Sequence, residues 1–500
     1  MAQNIDNSFA VAEPAASGRA AKSPWAGLPI AALLILAAFA FGAAFFLSIP
    51  REVKALMSLG LMFALMGLGM NVGLAMGLSG ALGLYAMLGT KPVFVTLAQI
   101  PFTNIASPTF LVLPMFVFMG LMLWHSGITT KLYAAARILF CWLPGGLAAT
   151  TNIAGAGLGA VSGSTIGNTY ALGRIAIGEM LSFGYDKRLA VGSVLSAGTI
   201  AQLIPPSIMM VIYAGFAEIP VGPQLMAGMM PGLVLALAYV LSAVVIALVR
   251  PEWVGKGKKK ADVDEPVMTA AEKFRVVLGA WPVPVLILII AGGLAGGFLT
   301  VTECASVAAI GSALYCLAAR GWKRFTHAAI DAAKGTLSAT GSVLFLIVGA
   351  AIFSRLLAVT GAAQWLSTNM QALSGNIVLF VFTLIILYFI LGMFMDSIAM
   401  ILLTVPLILP VVMAAGYSDM WFGVFLVLMA EIGVLTPPVG MLVFIGYRMV
   451  MDPQINRGQK FTLRDVFEGA MIFVPLALGV VVLIAIFPEL VTWLPERMVR

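Results

Sequence analysis

A hydrophobic half that occurs twice, each copy breaking its own apolar runs at matching places, constrains this chain more than any other feature. The first copy reads GAVSGSTIGNT from Gly159 to Thr169, then GYDKR from Gly184, then LIPPSIMMV around Pro205 and Pro206. The second reads GMFMDSIAM from Gly392, then GYSDM from Gly416, then LTPPVGMLV around Pro437 and Pro438. Asp396 lies 232 positions after Ser164, Gly416 lies 232 after Gly184, and Pro437 lies 232 after Pro205. Gly, Pro and small polar residues interrupt the helical hydrogen-bond ladder. At membrane depth the freed backbone groups are tolerated only where protein buries them or where they line a wet cavity. Paired breaks of this kind are the pattern of a secondary transporter.

Composition places the breaks in a membrane. Of the residues 61% are hydrophobic and only 10% charged, and the mean hydropathy is +1.05. A hydrocarbon core of about 30 Å takes roughly 20 apolar residues per helix, so the sequence accommodates about twelve spans plus shorter broken elements. The expected fold is an all-α polytopic membrane protein, with two re-entrant helical hairpins in repeats of inverted topology. Gly27 to Ile49 reads as a first span behind a polar, Ala-rich tail. Its flanks do not match a secretory signal, which has a basic start and a shorter apolar core. The expected division is a disordered tail over 1–26, an additional N-terminal helix over 27–54, and scaffold helices over 55–112. A first repeat over 113–231, scaffold over 232–344, a second repeat over 345–466 and a C-terminal helix over 467–500 complete it.

Three cysteines, Cys141, Cys304 and Cys316, lack CxxC spacing, and only two histidines occur, His125 and His327. Neither a zinc site nor a disulfide framework is expected. Positive charge concentrates in the 250–275 loop, at Arg250, Lys256, Lys258, Lys259, Lys260, Lys273 and Arg275. The positive-inside rule makes that loop cytoplasmic. It lacks the aromatic interleaving and folded basic domain that nucleic-acid binding would need. A second basic stretch, Arg320, Lys323, Arg324 and Lys334, follows the apolar run from Val276 to Ala319, which fits two spans returning to the same side. The first GY turn carries Lys187 and Arg188, whereas its counterpart carries Ser418 and Asp419. The two turns are therefore expected on opposite sides of the membrane, which is the mark of inverted repeats with a binding site at their interface.

Backbone carbonyls freed at the breaks can replace the water shell of a sodium ion. Ser162, Ser164, Thr165, Asn168 and Thr169 add neutral oxygens at one break, and Thr436 and Gly440 stand at the other. Half-helix N-termini offer N–H groups suited to an anionic substrate. Three carboxylates, Glu303, Asp396 and Glu431, lie within or beside apolar segments, where an ionised group is costly and usually faces a cavity or a partner. Asp396 is the best placed because it aligns with Ser164. Glu303 is compatible with a helix-end bond as much as with a site, and Glu431 with bracing the second Pro-Pro segment. Arg355 stands beside a loop at Thr360-Gly361, where its side chain can snorkel.

SGST with its following GYD turn, GTIAQLIPPSIMMVIYAG, MPG at Met230 to Gly232, TVTEC, GMFMDSIAMILLTVP and EIGVLTPPVG closely resemble the large membrane subunit of the tripartite ATP-independent periplasmic (TRAP) transporters, often called DctM. The resemblance runs in order from about Leu56 to Leu490. It implies a sodium-coupled importer of an organic acid in a bacterial inner membrane. Its partners would be a small four-helix membrane subunit of the DctQ type and a periplasmic solute-binding protein of the DctP type. It also implies an elevator-type movement, with no cofactor besides the coupling ion. Carried onto this sequence, the binding regions would be Ser162, Ser164, Thr165 and Asn168 with Pro205, Pro206 and Ser207, and Asp396 with Thr436, Pro437, Pro438 and Gly440. Sodium would be held by Ser162, Ser164, Asp396, Thr436 and Gly440, with Glu303 and Glu431 in support. The chain departs from the family's usual residues at Thr165, at Met429-Ala430 before EIG, and at Leu442 after the second Pro-Pro pair.

Two other readings make different demands. A stand-alone sodium/dicarboxylate carrier would use similar hairpins without a binding protein. An intramembrane serine protease would pair Ser79, in GLSG, with His125, and needs them within hydrogen-bond reach.

Overall fold

A computed structural model describes residues 50–256, 268–366 and 377–498, with isolated positions 32, 36 and 368. The expected tail and the span from Gly27 to Ile49 lie outside the described residues apart from two of those positions, as do Lys258, Lys259 and Lys260. Every regular element among the described residues is helical.

The chain opens with α1 (Arg51–Gly67), α2 (Val72–Leu88), α3 (Thr90–Ile105), α4 (Val112–Ser126) and α5 (Ile128–Phe140). The first broken set is α6 (Gly146–Ser162), α7 (Thr165–Ser182), α8 (Lys187–Ile200) and α9 (Ile208–Phe216). A short turn of helix, Val221–Ala227, leads into α10 (Met229–Val249). The apolar run after the basic loop forms two spans, Ala270–Ala295 and α11 (Val301–Arg320). At 39 residues, α12 (Trp322–Thr360) is about 58 Å long at 1.5 Å per residue, which exceeds a bilayer core. Its first turns, with Lys323 and Arg324, therefore belong outside the hydrocarbon. The second broken set is α13 (Ile377–Phe394), α14 (Ser397–Ala414), α15 (Asp419–Gly433) and α16 (Met441–Val450), followed by α17 (Leu463–Met471) and α18 (Val474–Ile486).

Eight described helices are long and apolar enough to cross a membrane, fewer than the sequence accommodates by hydropathy. Interruption is the reason. In the broken sets only α13 and α14 reach that length and hydropathy, whereas other crossings are divided into segments such as α8 and α9, of 14 and 9 residues, too short singly to span about 30 Å.

The two sets repeat residue by residue. Helices α7 and α14 are both 18 residues long and start 232 positions apart. Ser164 caps α7 by accepting from the Gly167 N–H at 3.2 Å, and Asp396 caps α14 by accepting from the Ile398 N–H at 3.1 Å. The turns after these helices use Gly184 and Gly416, at φ 79° and 93°, backbone that glycine adopts without steric cost. Asp186 and Ser418 then cap α8 and α15. Both Pro-Pro bonds are cis.

The repeats are inverted. Helices α17 and α18 form a span of 24 residues, Leu463–Ile486, about 36 Å long. Near its start, Asp465 and Glu468 bond Lys187 at 2.6 Å and Arg188 at 3.2 Å, from the first turn. Near its end, the Ile484 carbonyl accepts from Trp421 at 2.8 Å and the Ala485 carbonyl from Tyr417 at 3.0 Å, from the second turn. Equivalent turns thus sit at opposite ends of one membrane crossing. The first turn also rests on the beginning of the basic loop: the Asp186 N–H donates to the Trp253 carbonyl at 2.8 Å, and the Arg188 guanidinium stacks 4.7 Å from the Trp253 ring.

Candidate transport site

Breaking α6 from α7 and α13 from α14 leaves two re-entrant tips, Gly163-Ser164 and Met395-Asp396. Breaking α8 from α9 and α15 from α16 leaves two unwound crossings. All four interruptions meet at a cavity of about 190 Å³. Its lining comes in pairs separated by 232 positions: Ser164 with Asp396, Thr165 with Ser397, Ile166 with Ile398, Gln202 with Val434, and Met209 with Met441. A cavity lined by equivalent residues lies on the pseudo-symmetry axis of the repeats, where inverted transporters bind their cargo. Leu113 and Val117 of α4 and Ala339, Thr340 and Val343 of α12 complete its wall.

The chemistry of the cavity is less symmetric than its backbone. Both of its carboxyl groups, Asp396 and Glu431, come from the second repeat, and no Lys, Arg or His lines it. Glu431 is 2% exposed. Its Oε2 accepts from the Thr165 hydroxyl of the first repeat at 2.9 Å, while its Oε1 has no partner among the described residues. A buried carboxyl with half its hydrogen-bonding capacity unused suits a bound cation. Gln202 holds the first unwound crossing, its Oε1 accepting from the Ser207 hydroxyl and the Met209 N–H, both at 3.4 Å.

A second, larger cavity of about 460 Å³ adjoins the first and shares Val117, Ser164, Ile208 and Ala339 with it. Ser162 and Asn168 line this neighbour, not the tip cavity. The Asn168 amide donates to the carbonyls of Gly155 at 2.9 Å and Ala197 at 3.0 Å, and so ties α7 to α6 and α8.

Several expected site residues serve the backbone instead. The Thr436 hydroxyl donates to the Ile432 carbonyl at 2.7 Å, and Ser207 caps α9 by accepting from the Met210 N–H at 3.2 Å. Gly440, at φ 53°, precedes α16 in the left-handed conformation. Pro205, Pro206, Pro437 and Pro438 make the breaks and line neither cavity. The five proposed sodium ligands therefore separate: Ser164 and Asp396 share the tip cavity, Ser162 faces the larger one, and Thr436 and Gly440 line neither. Glu303 is exposed and forms a capping box with Thr300 at the start of α11, its Oε2 accepting the Thr300 N–H at 2.7 Å. Arg355 is exposed on α12.

Gln202 and Thr340 were not singled out by sequence. Gln202 is the one amide in the run before the first Pro-Pro pair, a signal available in principle. Thr340 is one of several hydroxyls on a long helix, and nothing in its spacing distinguishes it.

The DctM component of the tripartite ATP-independent periplasmic transporters matches residues 59–490. The chain belongs to this family. Among its relatives is the C4-dicarboxylate TRAP transporter large permease DctM of Vibrio cholerae, 27% identical, with 88% of this chain and 98% of the relative covered. The sialic acid large permease SiaM of the same species is 28% identical over 82% and 94%. The ectoine large permease TeaC of Halomonas elongata is 26% identical over 88% and 98%. In fold, the permease is similar to the YdaH transporter of Alcanivorax borkumensis, with a TM-score of 0.56, 16% identity, and 80% of this chain and 89% of that one covered. The MtrF efflux pump of Neisseria gonorrhoeae gives 0.53 at 14% identity, over 81% and 85%. A TRAP large permease is a multi-pass membrane protein, and its family implies a small membrane subunit and a periplasmic binding protein as partners.

The protease reading meets no support in the permease's geometry. The Ser79 hydroxyl is buried and donates to the Ala75 carbonyl of its own helix at 2.7 Å. The His125 ring packs edge-on against Trp124, centroids 4.8 Å apart.

Proposed function

We propose that this permease imports an organic acid by sodium symport across a bacterial inner membrane, the acid being handed over by a periplasmic binding protein of the DctP type while a DctQ-type small subunit braces the scaffold. The observation that carries this reading is the tip cavity, which offers two carboxyl groups and no base. A carboxylate entering it alone would meet like charge. Unit charges 4 Å apart at an effective dielectric of 20 interact by about 4 kcal/mol, so a cation bound at Glu431 and Asp396 offsets the repulsion from one of the two carboxylates, a term of that order. Cation and acid then bind better together than apart, which is what coupling requires.

Sodium is cargo here. Asp396, Glu431 and the hydroxyls of Ser164 and Thr165 supply oxygen ligands suited to a hard cation. The start of α7, where Thr165 and Ile166 line the same space, favours the acid's carboxylate, whereas the Ile398 N–H at the start of α14 is already taken by Asp396. An elevator movement, with the two broken sets carrying the cavity past α4 and α12, accords with a lining drawn from both groups.

Uptake of labelled acids into proteoliposomes holding this chain and its small subunit, with and without the binding protein, under an imposed sodium gradient, tests the reading. Asp396→Ala and Ser164→Ala are expected to insert normally and to lower sodium-driven uptake about tenfold or more, each having removed an oxygen from the cavity. Wild-type uptake by both variants would refute the assignment. Uptake by the permease without a binding protein would identify a stand-alone carrier.

A further inference from the structure

The larger cavity has no part in holding a cation, since no carboxyl group lines it. It nonetheless adjoins the tip cavity, Ser164 and Ile208 lining both, and at about 460 Å³ it falls in the range of sites that enclose a whole small molecule. Its walls are Leu121 and Trp124 of α4, Ile128 of α5, Leu158 and Val161 of α6, and Tyr170 of α7. Its polar groups are the hydroxyls of Thr129, Ser162, Ser164 and Tyr170, the Trp124 indole and the Asn168 amide. Ser162 Oγ and Asn168 Oδ1 are both buried without a partner among the described residues, and Asn168 is 1% exposed. The combined space has one end suited to charge and one broad apolar lobe with no guanidinium or ammonium to receive a second carboxylate.

Resting on the sodium-coupled reading above, we propose that the cargo is a monocarboxylate with a bulky apolar body. Its carboxylate lies at the hairpin tips beside the bound cation, and its alkyl or aryl body fills the lobe between Trp124, Leu158 and Tyr170. A C4-dicarboxylate would place its second anionic group against apolar walls, and a polyhydroxylated acid would leave several hydroxyls unpaired there. Unpaired buried polar groups are what make a site reject a ligand strongly. Ser162 as donor and Asn168 Oδ1 as acceptor satisfy one 2-hydroxyl adjoining the carboxylate, and Ser162 alone can donate to a 2-oxo group. Each methylene placed in an apolar pocket discriminates by about tenfold or more, so affinity rises with the size of the body until the lobe is filled.

The test uses the permease with its small subunit in proteoliposomes, and measures sodium-dependent thermal stabilisation and competition by phenylpropanoate, 4-methyl-2-oxopentanoate, succinate and N-acetylneuraminate. The two apolar acids are expected to stabilise and compete at concentrations about tenfold or more below those of the other two. Trp124→Ala and Leu158→Ser are expected to remove that preference while leaving stabilisation by sodium alone in place, with Leu337→Ala, on the exposed face of α12, as a control. Tighter sodium-dependent binding of succinate or N-acetylneuraminate would overturn the lobe assignment and leave the sodium-coupled reading standing. An unchanged preference in both lobe variants, if they fold as judged by their sodium response, would also overturn it. Absence of any sodium response, with or without acids, would instead count against the underlying transport reading.

Discussion

Replacing Thr165 by Val isolates the one hydrogen bond that joins the two repeats inside the tip cavity. The hydroxyl donates to Glu431 Oε2 at 2.9 Å, with Thr165 4% exposed and Glu431 2% exposed, so water does not readily take its place. Val keeps the volume and the branching, and the Ser164 cap of α7 is untouched. A hydrogen bond to a charged group is worth about 1.5–3 kcal/mol. At about 1.4 kcal/mol per tenfold, that is a loss of roughly 10- to 150-fold in cation affinity if the bond orients Glu431 for the ion. The assay is sodium-dependent uptake by the reconstituted tripartite system, read as the sodium concentration giving half-maximal rate. Thr165→Val should raise it by at least about tenfold, and Thr165→Ser, which keeps the hydroxyl, should restore it. Thermal unfolding without sodium separates a folding defect from a binding defect. A well-folded Thr165→Val protein with the wild-type sodium requirement would refute the role given to this bond and to Glu431.

Gly433→Ala tests how the second hairpin is held, because a Cβ there would lie 2.6 Å from the backbone of Gly392 on α13. Alanine ordinarily favours a helix by about 1 kcal/mol over glycine, but overpacking costs about 1–3 kcal/mol; a lowered melting temperature is expected, and a raised one would show that the two helices can part. Ser79→Ala and His125→Gln should each leave uptake within about twofold of wild type, since the serine hydroxyl only bonds its own helix and removing such a bond is a small perturbation. Loss of function in both would reopen the pairing of these residues.

The sequence was most informative where physics leaves few choices. A Pro-Pro pair in an apolar run can only be a break, Gly before Tyr in a short polar link can only be a turn, and both recur at one offset, so the repeat and its inversion were legible before any coordinate. Which oxygens face the cavity was less legible. Thr436 has the residue type of a ligand, but a threonine just past a helix end can bond the carbonyl four residues back, and this one does. Glu303 looked the same as Glu431 by local hydropathy, yet three residues after Thr300 it completes a capping box at an exposed helix start. Gln202 stands out only as the one amide before the first Pro-Pro pair, and Thr340 enters the cavity through tertiary placement, with no local pattern to separate it from hydroxyls that do not. Part of the basic loop and the first apolar span fall outside the described residues.

The repeats share a backbone but not a chemistry, and that difference is what makes one site of two halves. At equivalent places around the cavity the first repeat supplies Ser164, Thr165 and Gln202, while the second supplies Asp396, Ser397 and Val434. Glu431 has Thr199 as its counterpart, which turns to the Ser196 carbonyl at 2.7 Å and lines neither cavity. Negative charge is therefore concentrated on the side of the second repeat, with neutral hydroxyl and amide oxygens opposite. On the proposed sodium-coupled reading, both carboxyl groups in one half would place the cation off the pseudo-symmetry axis. The Thr165–Glu431 bond then makes that position depend on the first repeat being in place. On the same sodium-coupled reading, a bound cation would sense the closure of the two halves, and the remaining space, toward Ser164 and the apolar lobe, would be left for the acid.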